Sequence, residues 1–198
     1  MAQPFYFDAH MRIVSGTHKG RRIQAPKNLP VRPTTDIGKE ALFNILTHRL
    51  DFDEIRALDL FSGTGNISYE LASRGVADVT AVDADANCVK FIRKTSGEFE
   101  FPIHVVASAA TSFLKKASGT YDLIFADPPY DMNQSDFEML VMLVFERNLL
   151  AARGIMVIEH SRYTKMEALP HFSFQRSYGG AYFTFFEIPD DDSIDENT

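Results

Sequence analysis

The chain has 198 residues and a formal net charge of −7, with 45% hydrophobic and 24% charged side chains. The composition is ordinary for a globular protein of one domain, and no apolar run approaches the about 18 residues of a membrane span, so we expect no membrane-spanning segment. The single cysteine, Cys88, excludes an intramolecular disulfide and a metal site built from several cysteines, and a reducing cytoplasm is the expected compartment.

Basic residues are concentrated near the start of the chain. Residues 9–35 carry six basic side chains and no acid, whereas the remainder carries 14 bases and 27 acids, so the two parts have charges of +6 and −13. Such a segment on an acidic protein is typical of an arm that binds a polyanion, although an exposed hairpin face can carry the same residues. Residues 1–10 lack the basic start and apolar core of a signal peptide, and we expect them to form a disordered leader.

Residues 11–33, which we call the basic arm, are predicted to form a β-hairpin followed by a linker. Apolar and polar or basic residues alternate from Met11 to Ile23 around two glycines. Pro26, Pro30 and Pro33 then interrupt any regular element. The arm is therefore expected to pack one face on the body of the protein and to present the other to solvent or phosphate.

The main domain is predicted to span residues 34–189. It opens on a helix, which Thr35 or Asp36 can cap and whose apolar residues recur at helical spacing to about Arg49. Residues 190–198 form an acidic tail that we expect to be disordered.

A buried strand at 58–61, a glycine turn at 62–66 and a helix at 67–73 have the arrangement of a nucleotide-binding opening. The glycines let a ligand approach the backbone, but Gly-x-Gly alone also fits an ordinary tight turn. The third glycine of dinucleotide-binding proteins is missing, and Asp59 lies inside the strand. A smaller adenosyl ligand is therefore favoured over a dinucleotide, which argues against a nicotinamide oxidoreductase.

The next predicted strand, 79–83, ends in Asp83, 24 positions after Asp59. An acid at the end of the second strand is placed to bind the two ribose hydroxyls of a nucleoside. It can also cap the following helix, and so can Asp85. We expect Asp83 to bind ribose and Asp85 to be the cap.

The remaining elements predict an α/β fold with a seven-stranded, mostly parallel sheet that ends in an antiparallel hairpin. They are strands at 103–107, 123–126 and 154–159, helices at 111–116 and 135–148, and a hairpin of 172–178 and 182–188 around a turn at 179–180.

The strand at 123–126 stops at the quartet Asp127-Pro128-Pro129-Tyr130. Chance produces such a quartet in a chain of this length only about once in a thousand. Ligands bind at the carboxyl ends of strands in open α/β sheets. Asp127 and the carbonyl of Pro128 can accept the hydrogens of an exocyclic amine, and Tyr130 offers a ring on which an extruded base can stack. The quartet therefore predicts methyl transfer to an amine without a metal.

Together these segments resemble the RsmD-like 16S ribosomal RNA guanine-N2 methyltransferases, within the class I S-adenosylmethionine-dependent superfamily. The resemblance covers nearly the whole chain from residue 11 to residue 188. It is carried by residues 11–16, 32–36, 40–44, 59–65, 127–130 and 178–180, together with Asp83.

The resemblance implies a Rossmann-like fold, S-adenosylmethionine as cofactor, and methyl transfer to the N2 amine of one guanine in a small-subunit ribosomal particle, by a monomer. The catalytic residues are then Asp127, Pro128, Pro129 and Tyr130. The expected cofactor-binding residues are Asp59, Phe61, Gly63, Gly65, Asn66, Asp83, Ala84, Ser108, Ala109 and Asp127. The expected RNA-binding residues are Arg12, Lys19, Arg21, Arg22 and Arg32.

The chain departs from the family pattern at three positions. Ala109 stands where an acid commonly orients the adenine, so backbone amides and Ser108 are expected to hold it. Ile37 and Lys39 stand where the family often has arginines, so the resemblance does not say which residues bind the RNA phosphate at this position.

Other functions remain open at this point. The same quartet serves adenine N6, cytosine N4 or a glutamine side chain as acceptor, and a non-catalytic RNA-binding assembly factor is a further alternative. His18 lies in the basic hairpin, where it can contact RNA, but we expect an ordinary surface histidine. The histidines at 104, 160 and 171 lack metal-ligand spacing and are expected to be structural, and Cys88 is expected to pack in a helix. Glu159 ends a strand near the site, where an ordinary edge acid is equally expected.

Overall fold

The computed structural model describes residues 10–26, 29 and 35–189. Within them the chain forms nine strands and five helices. The strands are β1 (His10–Arg12), β2 (Arg22–Gln24), β3 (Arg56–Leu60), β4 (Asp78–Asp83), β5 (Ile103–Ala107), β6 (Tyr121–Ala126), β7 (Leu150–His160), β8 (Phe172–Tyr178) and β9 (Ala181–Glu187). The helices are α1 (Asp36–Thr47), α2 (Asn66–Ser73), α3 (Ala86–Phe99), α4 (Ala110–Leu114) and α5 (Gln134–Glu146). None of these helices is long and apolar enough to cross a bilayer.

Strands β3 to β9 form one seven-stranded sheet in the order β5-β4-β3-β6-β7-β9-β8. The first five strands in that order are parallel, and β9 and β8 are antiparallel. This confirms the predicted class I architecture. The chain leaves β3 towards β4 on one side and returns to β6 on the other, so the strand order switches at the carboxyl ends of β3 and β6, where such sheets bind ligands.

Helices cover both faces of the sheet because the central strands are apolar on both sides. Helices α4 and α5 pack on one face, and α1 and α2 pack on the other. Thr35 accepts a hydrogen bond from Gly38 N and caps α1, as predicted. Strand β7 begins four residues earlier than predicted, because Tyr121 pairs with Leu150 and the ladder then skips to Leu123 and Ile155 across an irregularity.

The described part of the basic arm, residues 11–26, forms a small lobe that is docked on the body. Strands β1 and β2 pair antiparallel, which confirms the predicted hairpin, but each has only three residues. Gly16 has φ +81°, and a Cβ there would lie 1.7 Å from the carbonyl oxygen of Ser73, so only glycine fits this contact with α2. The amides of Val14 and Ser15 donate to the buried Glu70 on the same helix. The expected disordered leader covered residues 1–10, but His10 belongs to β1 and pairs with Gln24, so that boundary was wrong by one residue. Residues 1–9, the linker prolines Pro30 and Pro33, Arg32, and the tail at 190–198 lie outside the described residues.

Candidate active site

The glycine turn between β3 and α2 has a fixed conformation, which depends on two glycines with positive φ and on the hydroxyl of Ser62. Gly63 and Gly65 have φ values of +54° and +85°. A Cβ on Gly65 would lie 2.7 Å from the ring of Tyr69, so a side chain there requires a shift. Ser62 ties the turn to its neighbours through hydrogen bonds from its Oγ to the carbonyl oxygens of Asp59 (2.8 Å) and Val82 (3.0 Å). Gly63 is half-buried, whereas Ser62, Thr64, Gly65 and Asn66 are buried, so Gly63 is the part of the turn whose backbone a ligand can approach.

Asp59 lies beneath this turn and is only 1% exposed. Its carboxylate accepts hydrogen bonds from the hydroxyl (2.5 Å) and the amide (3.1 Å) of Ser68 on α2. Burial raises the pKa of Asp59 to about 7, the hydrogen bonds from Ser68 oppose this, and the nearby charge of Asp83 adds to it. Asp59 thus joins β3 to α2 and contributes a group that titrates near neutral pH.

Asp83 joins the glycine turn to the end of β4. Its Oδ2 accepts a hydrogen bond from Gly63 N (2.7 Å) and its Oδ1 accepts one from Asp85 N (2.8 Å). Partial burial raises the pKa of Asp83. The cap of α3 is Asp85, whose side chain accepts from Asn87 N and Cys88 N, as predicted. Asp83 is therefore not the cap, and its half-buried carboxylate lies beside the turn, where a ribose would meet it.

A cavity of about 290 Å³ lies at the ends of β3, β4 and β5. It brings together five of the predicted cofactor-binding residues, namely Phe61, Asp83, Ala84, Ser108 and Ala109. Its wall also contains Met132, Asp136 and Met139, which the sequence did not single out. The only sequence signal for these three is that they follow the quartet closely. A flat, largely apolar group with one polar edge, such as adenine, suits this cavity.

Phe61 reaches the cavity through an unusual backbone conformation. Its φ is +59°, in a region that costs a non-glycine residue about 1–2 kcal/mol. Ala109, the N-cap of α4, makes no capping hydrogen bond through its side chain. Phe61 and Ala109 both line the cavity, as expected for cofactor-binding residues.

Asp127 lies at the carboxyl end of β6, beside the end of β3. Its amide donates to the carbonyl oxygen of Leu60 at 3.4 Å, and its side chain is half-buried. Pro128 is buried, whereas Pro129 and Tyr130 are exposed, with 71% of Tyr130 accessible. The quartet thus turns away from the sheet and presents its aromatic ring to solvent.

Glu159 is the acid that the sequence left undecided. Strands β6 and β7 are parallel, and Ala126 pairs with Ile158, so Asp127 and Glu159 follow at the same level. Glu159 is 7% exposed. Burial raises the pKa of Asp127 well above its ordinary value, and the charges of Glu159 and then Asp59 add to this. The register between two strands, which the sequence alone does not reveal, makes Glu159 part of the site.

Lys39 is buried, with 1% of its surface accessible. Its Nζ donates to the carbonyl oxygen of Arg12 (2.6 Å) and to Oδ1 of Asn66 (2.8 Å), and it lies 3.5 Å from Oε2 of Glu70. Burial lowers the pKa of Lys39, and the charge of Glu70 opposes this. Lys39 therefore joins the lobe to the first residue of α2, and its buried ammonium group cannot contact an RNA phosphate. Ile37, the other position where the family often has arginine, is 69% exposed.

The predicted RNA-binding residues differ in their surroundings. Arg12 is exposed, but its guanidinium is paired with Asp36 and Glu40, at 3.0 Å each. The other three within the described residues, Lys19, Arg21 and Arg22, are exposed. Arg12 and Lys19 line an open groove of about 510 Å³ between the lobe and α1.

Two of the histidines and the cysteine considered in the sequence analysis make contacts that stabilise the fold. His160 is buried and hydrogen-bonds Thr184 Oγ1 at 2.7 Å, and His171 stacks on Phe145 at 3.9 Å between ring centroids. Cys88 is fully buried, which raises the pKa of its thiol to about 12 and makes it a poor nucleophile. Within residues 10–26 and 35–189, no three ligating side chains come together as a metal site.

Comparison with known proteins identifies the family. The family described as "Conserved hypothetical protein 95" matches residues 11–187. Ribosomal RNA small subunit methyltransferase D of Escherichia coli strain K12 is 30% identical over 150 residues, which cover 75% of this chain and 74% of the relative. YlbH of Bacillus subtilis strain 168 is 34% identical over 157 residues, which cover 77% of this chain and 83% of the relative.

Solved structures agree with this result. The hypothetical protein TTHA0928 of Thermus thermophilus superposes with a TM-score of 0.77 at 26% identity, over 89% of this chain and 99% of that chain. The fold alone is shared with the T. thermophilus 16S rRNA N2 G1207 methyltransferase RsmC in complex with AdoMet and guanosine, with a TM-score of 0.71 at 18% identity over 90% of this chain and 49% of that chain. The chain therefore belongs to the conserved hypothetical protein 95 family, the RsmD-like methyltransferases that its motifs predict.

Proposed function

We propose that the protein transfers a methyl group from S-adenosylmethionine to the exocyclic N2 amine of a guanine in small-subunit 16S ribosomal RNA. The observation that carries this proposal is the placement of Asp127 and Tyr130 at the switch point of the sheet, at the same edge as an adenosyl-sized cavity. Membership of a family with a member named ribosomal RNA small subunit methyltransferase D supports the choice of substrate.

The described residues fit the cofactor. The cavity formed by Phe61, Ser108, Ala109 and their neighbours suits the adenine, and Asp83 lies where the ribose hydroxyls would be. For the methionine part we propose the backbone at Gly63, which is half-buried and donates to Asp83. Asn66 is buried and accepts from Lys39, so in this proposal it shapes the turn. The cofactor supplies a methyl group on a positively charged sulfur, which is already an activated leaving group.

The protein's own residues prepare the amine. The lone pair of an exocyclic purine amine is delocalised into the ring, so the amine is a poor nucleophile. In our proposal the carboxylate of Asp127 and the carbonyl of Pro128 accept its two hydrogens, which directs the lone pair towards the methyl group and stabilises the developing positive charge. Tyr130 stacks on the extruded base, and the methylated amine then loses a proton to Asp127 or to water.

Burial and the neighbouring acids raise the pKa of Asp127, which favours its protonated form in the protein alone. The role proposed for Asp127 is to accept one amine hydrogen, and the ionised carboxylate is the stronger acceptor. The positive charge of the cofactor favours the ionised form of a nearby acid. In our proposal the bound cofactor would therefore lower the pKa of Asp127 and favour its carboxylate form.

The docked lobe delivers the RNA in this proposal. Lys19, Arg21 and Arg22 contact phosphates directly, and Arg32 belongs to the same set. Arg12, paired with Asp36 and Glu40, takes part through the shape of the groove that it lines. We propose that the protein acts in the cytoplasm as a monomer, on an assembled or assembling ribosomal particle.

Mass spectrometry of nuclease-digested 16S ribosomal RNA tests the proposed function. RNA from a strain lacking the gene is incubated with the pure protein and S-adenosylmethionine, and nucleosides are compared with and without protein. The proposal predicts one new N2-methylguanosine per RNA molecule. Methylation of adenine or cytosine would assign another amine, and an RNA without new methyl groups in both naked and particle form would contradict the proposal.

A further inference from the structure

A short turn leaves the sheet next to the catalytic quartet. Strand β7 ends at His160, parallel to β6, and Ala126 pairs with Ile158. The chain that follows β7 therefore leaves the sheet at the same edge as the chain that follows Ala126. We call residues 161–166 the β7 turn.

The β7 turn is held in a defined conformation. The amide of Tyr163 donates to Oγ of Ser161 at 3.3 Å. The backbone of Lys165 makes two hydrogen bonds to the side chain of Gln134, at 3.1 and 2.7 Å. Met166 then returns to the core with no accessible surface. A turn anchored at both ends presents its tip with little loss of conformational entropy on binding.

The tip of the turn is aromatic and basic. Tyr163 is 77% exposed, the largest value among the exposed apolar and aromatic side chains of the described residues. The guanidinium of Arg162 lies over its ring at 4.9 Å and donates to its hydroxyl at 2.7 Å. Arg162 and Lys165 are also exposed. The ring thus has a cation against it and remains largely open to solvent.

This combination matches single-stranded RNA. An open aromatic face stacks with any base, and neighbouring cations neutralise the phosphates on either side. We propose that the β7 turn is a second RNA-binding surface, in which Tyr163 stacks on an unpaired base near the target nucleotide and Arg162 and Lys165 contact its phosphates. The inference rests on the proposed function, because it takes RNA as the substrate.

Binding of 16S ribosomal RNA transcribed in vitro tests this surface directly, by filter binding with the full-length protein. Tyr163→Ala is expected to raise the Kd roughly five- to hundredfold, the range for loss of one stacked base. Tyr163→Phe keeps the ring and is expected to stay within about twofold of the wild type. Arg162→Ala is expected to weaken binding and to lower the salt slope by about one.

Arg153→Ala is the matched control, because Arg153 is exposed and lies near the start of β7, at the opposite edge of the sheet. If Arg153→Ala and Arg162→Ala weaken RNA binding equally, the loss of affinity comes from the change in net charge alone, and the inference is overturned. Wild-type affinity in Tyr163→Ala would overturn it too, and so would a wild-type protein that binds neither the naked transcript nor the small-subunit particle. Failure of the proposed function is a separate result, seen as absent methyl transfer while RNA binding still depends on Tyr163.

Discussion

Replacement of Asp59 by asparagine is expected to stabilise the protein above neutral pH. In the unfolded chain this carboxyl group loses its proton near pH 3.8, whereas in the folded protein its pKa is about 7. Folded stability therefore falls as the pH rises from about 4 to 7 and stays low above that range. A shift of about 3 pH units corresponds to about 4 kcal/mol.

Asparagine has no charge to bury, but its neutral amide oxygen is a weaker acceptor than Oδ2 of the carboxylate, which accepts both hydrogen bonds from Ser68. The weaker hydrogen bonds cost about 1 kcal/mol. The net gain at pH 8 is therefore about 3 kcal/mol, or roughly 6–12 °C in Tm for a chain of this size. At pH 4 the gain should nearly vanish, because the folded aspartic acid is protonated and pH 4 lies close to the pKa of the unfolded group.

Urea unfolding followed by circular dichroism at pH 4, 6 and 8 measures this difference. Asp78→Asn is the matched control, since Asp78 is an exposed carboxylate on the neighbouring strand, paired with Arg56. The control should show no gain that grows with pH. An Asp59→Asn protein that is equally stable or less stable than the wild type at pH 8 would refute the reasoning about burial.

Three further changes give distinct outcomes. Glu159→Gln removes the acid next to Asp127, so the acid limb of the profile of kcat/KM against pH should move to lower pH, and an unmoved limb would show that the two acids do not interact. Lys39→Met should lower the free energy of unfolding by about 3 kcal/mol in urea titrations, because buried acceptors lose their cation, and a neutral effect would contradict the buried network. Replacing Arg21 and Arg22 by alanine should weaken binding to ribosomal RNA and flatten its salt dependence, whereas an unchanged salt slope would leave the lobe as a solvated face.

The parts of the molecule that were predictable depend on local signals. The short apolar run before Asp127 predicted a buried strand, and the glycine turn after β3 predicted a strand-turn-helix unit. The caps at Thr35 and Asp85 were predictable because each side chain bonds amides only two or three residues away. The cavity wall could be predicted in part, since Ser108 and Ala109 follow a strand end.

The parts that were missed depend on contacts between distant segments. Glu70 accepts hydrogen bonds from the amides of Val14 and Ser15, which precede it by more than 50 positions in the sequence. The docking of the lobe therefore has no local sequence signature. Lys39 looks like a solvent-facing lysine in the sequence, and only the packing of three segments around it reveals its burial. Glu159 reaches Asp127 because β6 and β7 pair in one register. A shift of one residue would turn it to the other face of the sheet.

Transfer of a labelled methyl group by the Asp127→Ala variant tests the central claim most directly. Single-turnover transfer from S-adenosylmethionine to small-subunit ribosomal RNA is measured beside the cofactor Kd from calorimetry. The account predicts a loss of at least about a hundredfold in the transfer rate, with cofactor binding largely intact, because the acceptor of the amine hydrogens is removed. Transfer at the wild-type rate by Asp127→Ala would contradict the role given to the quartet.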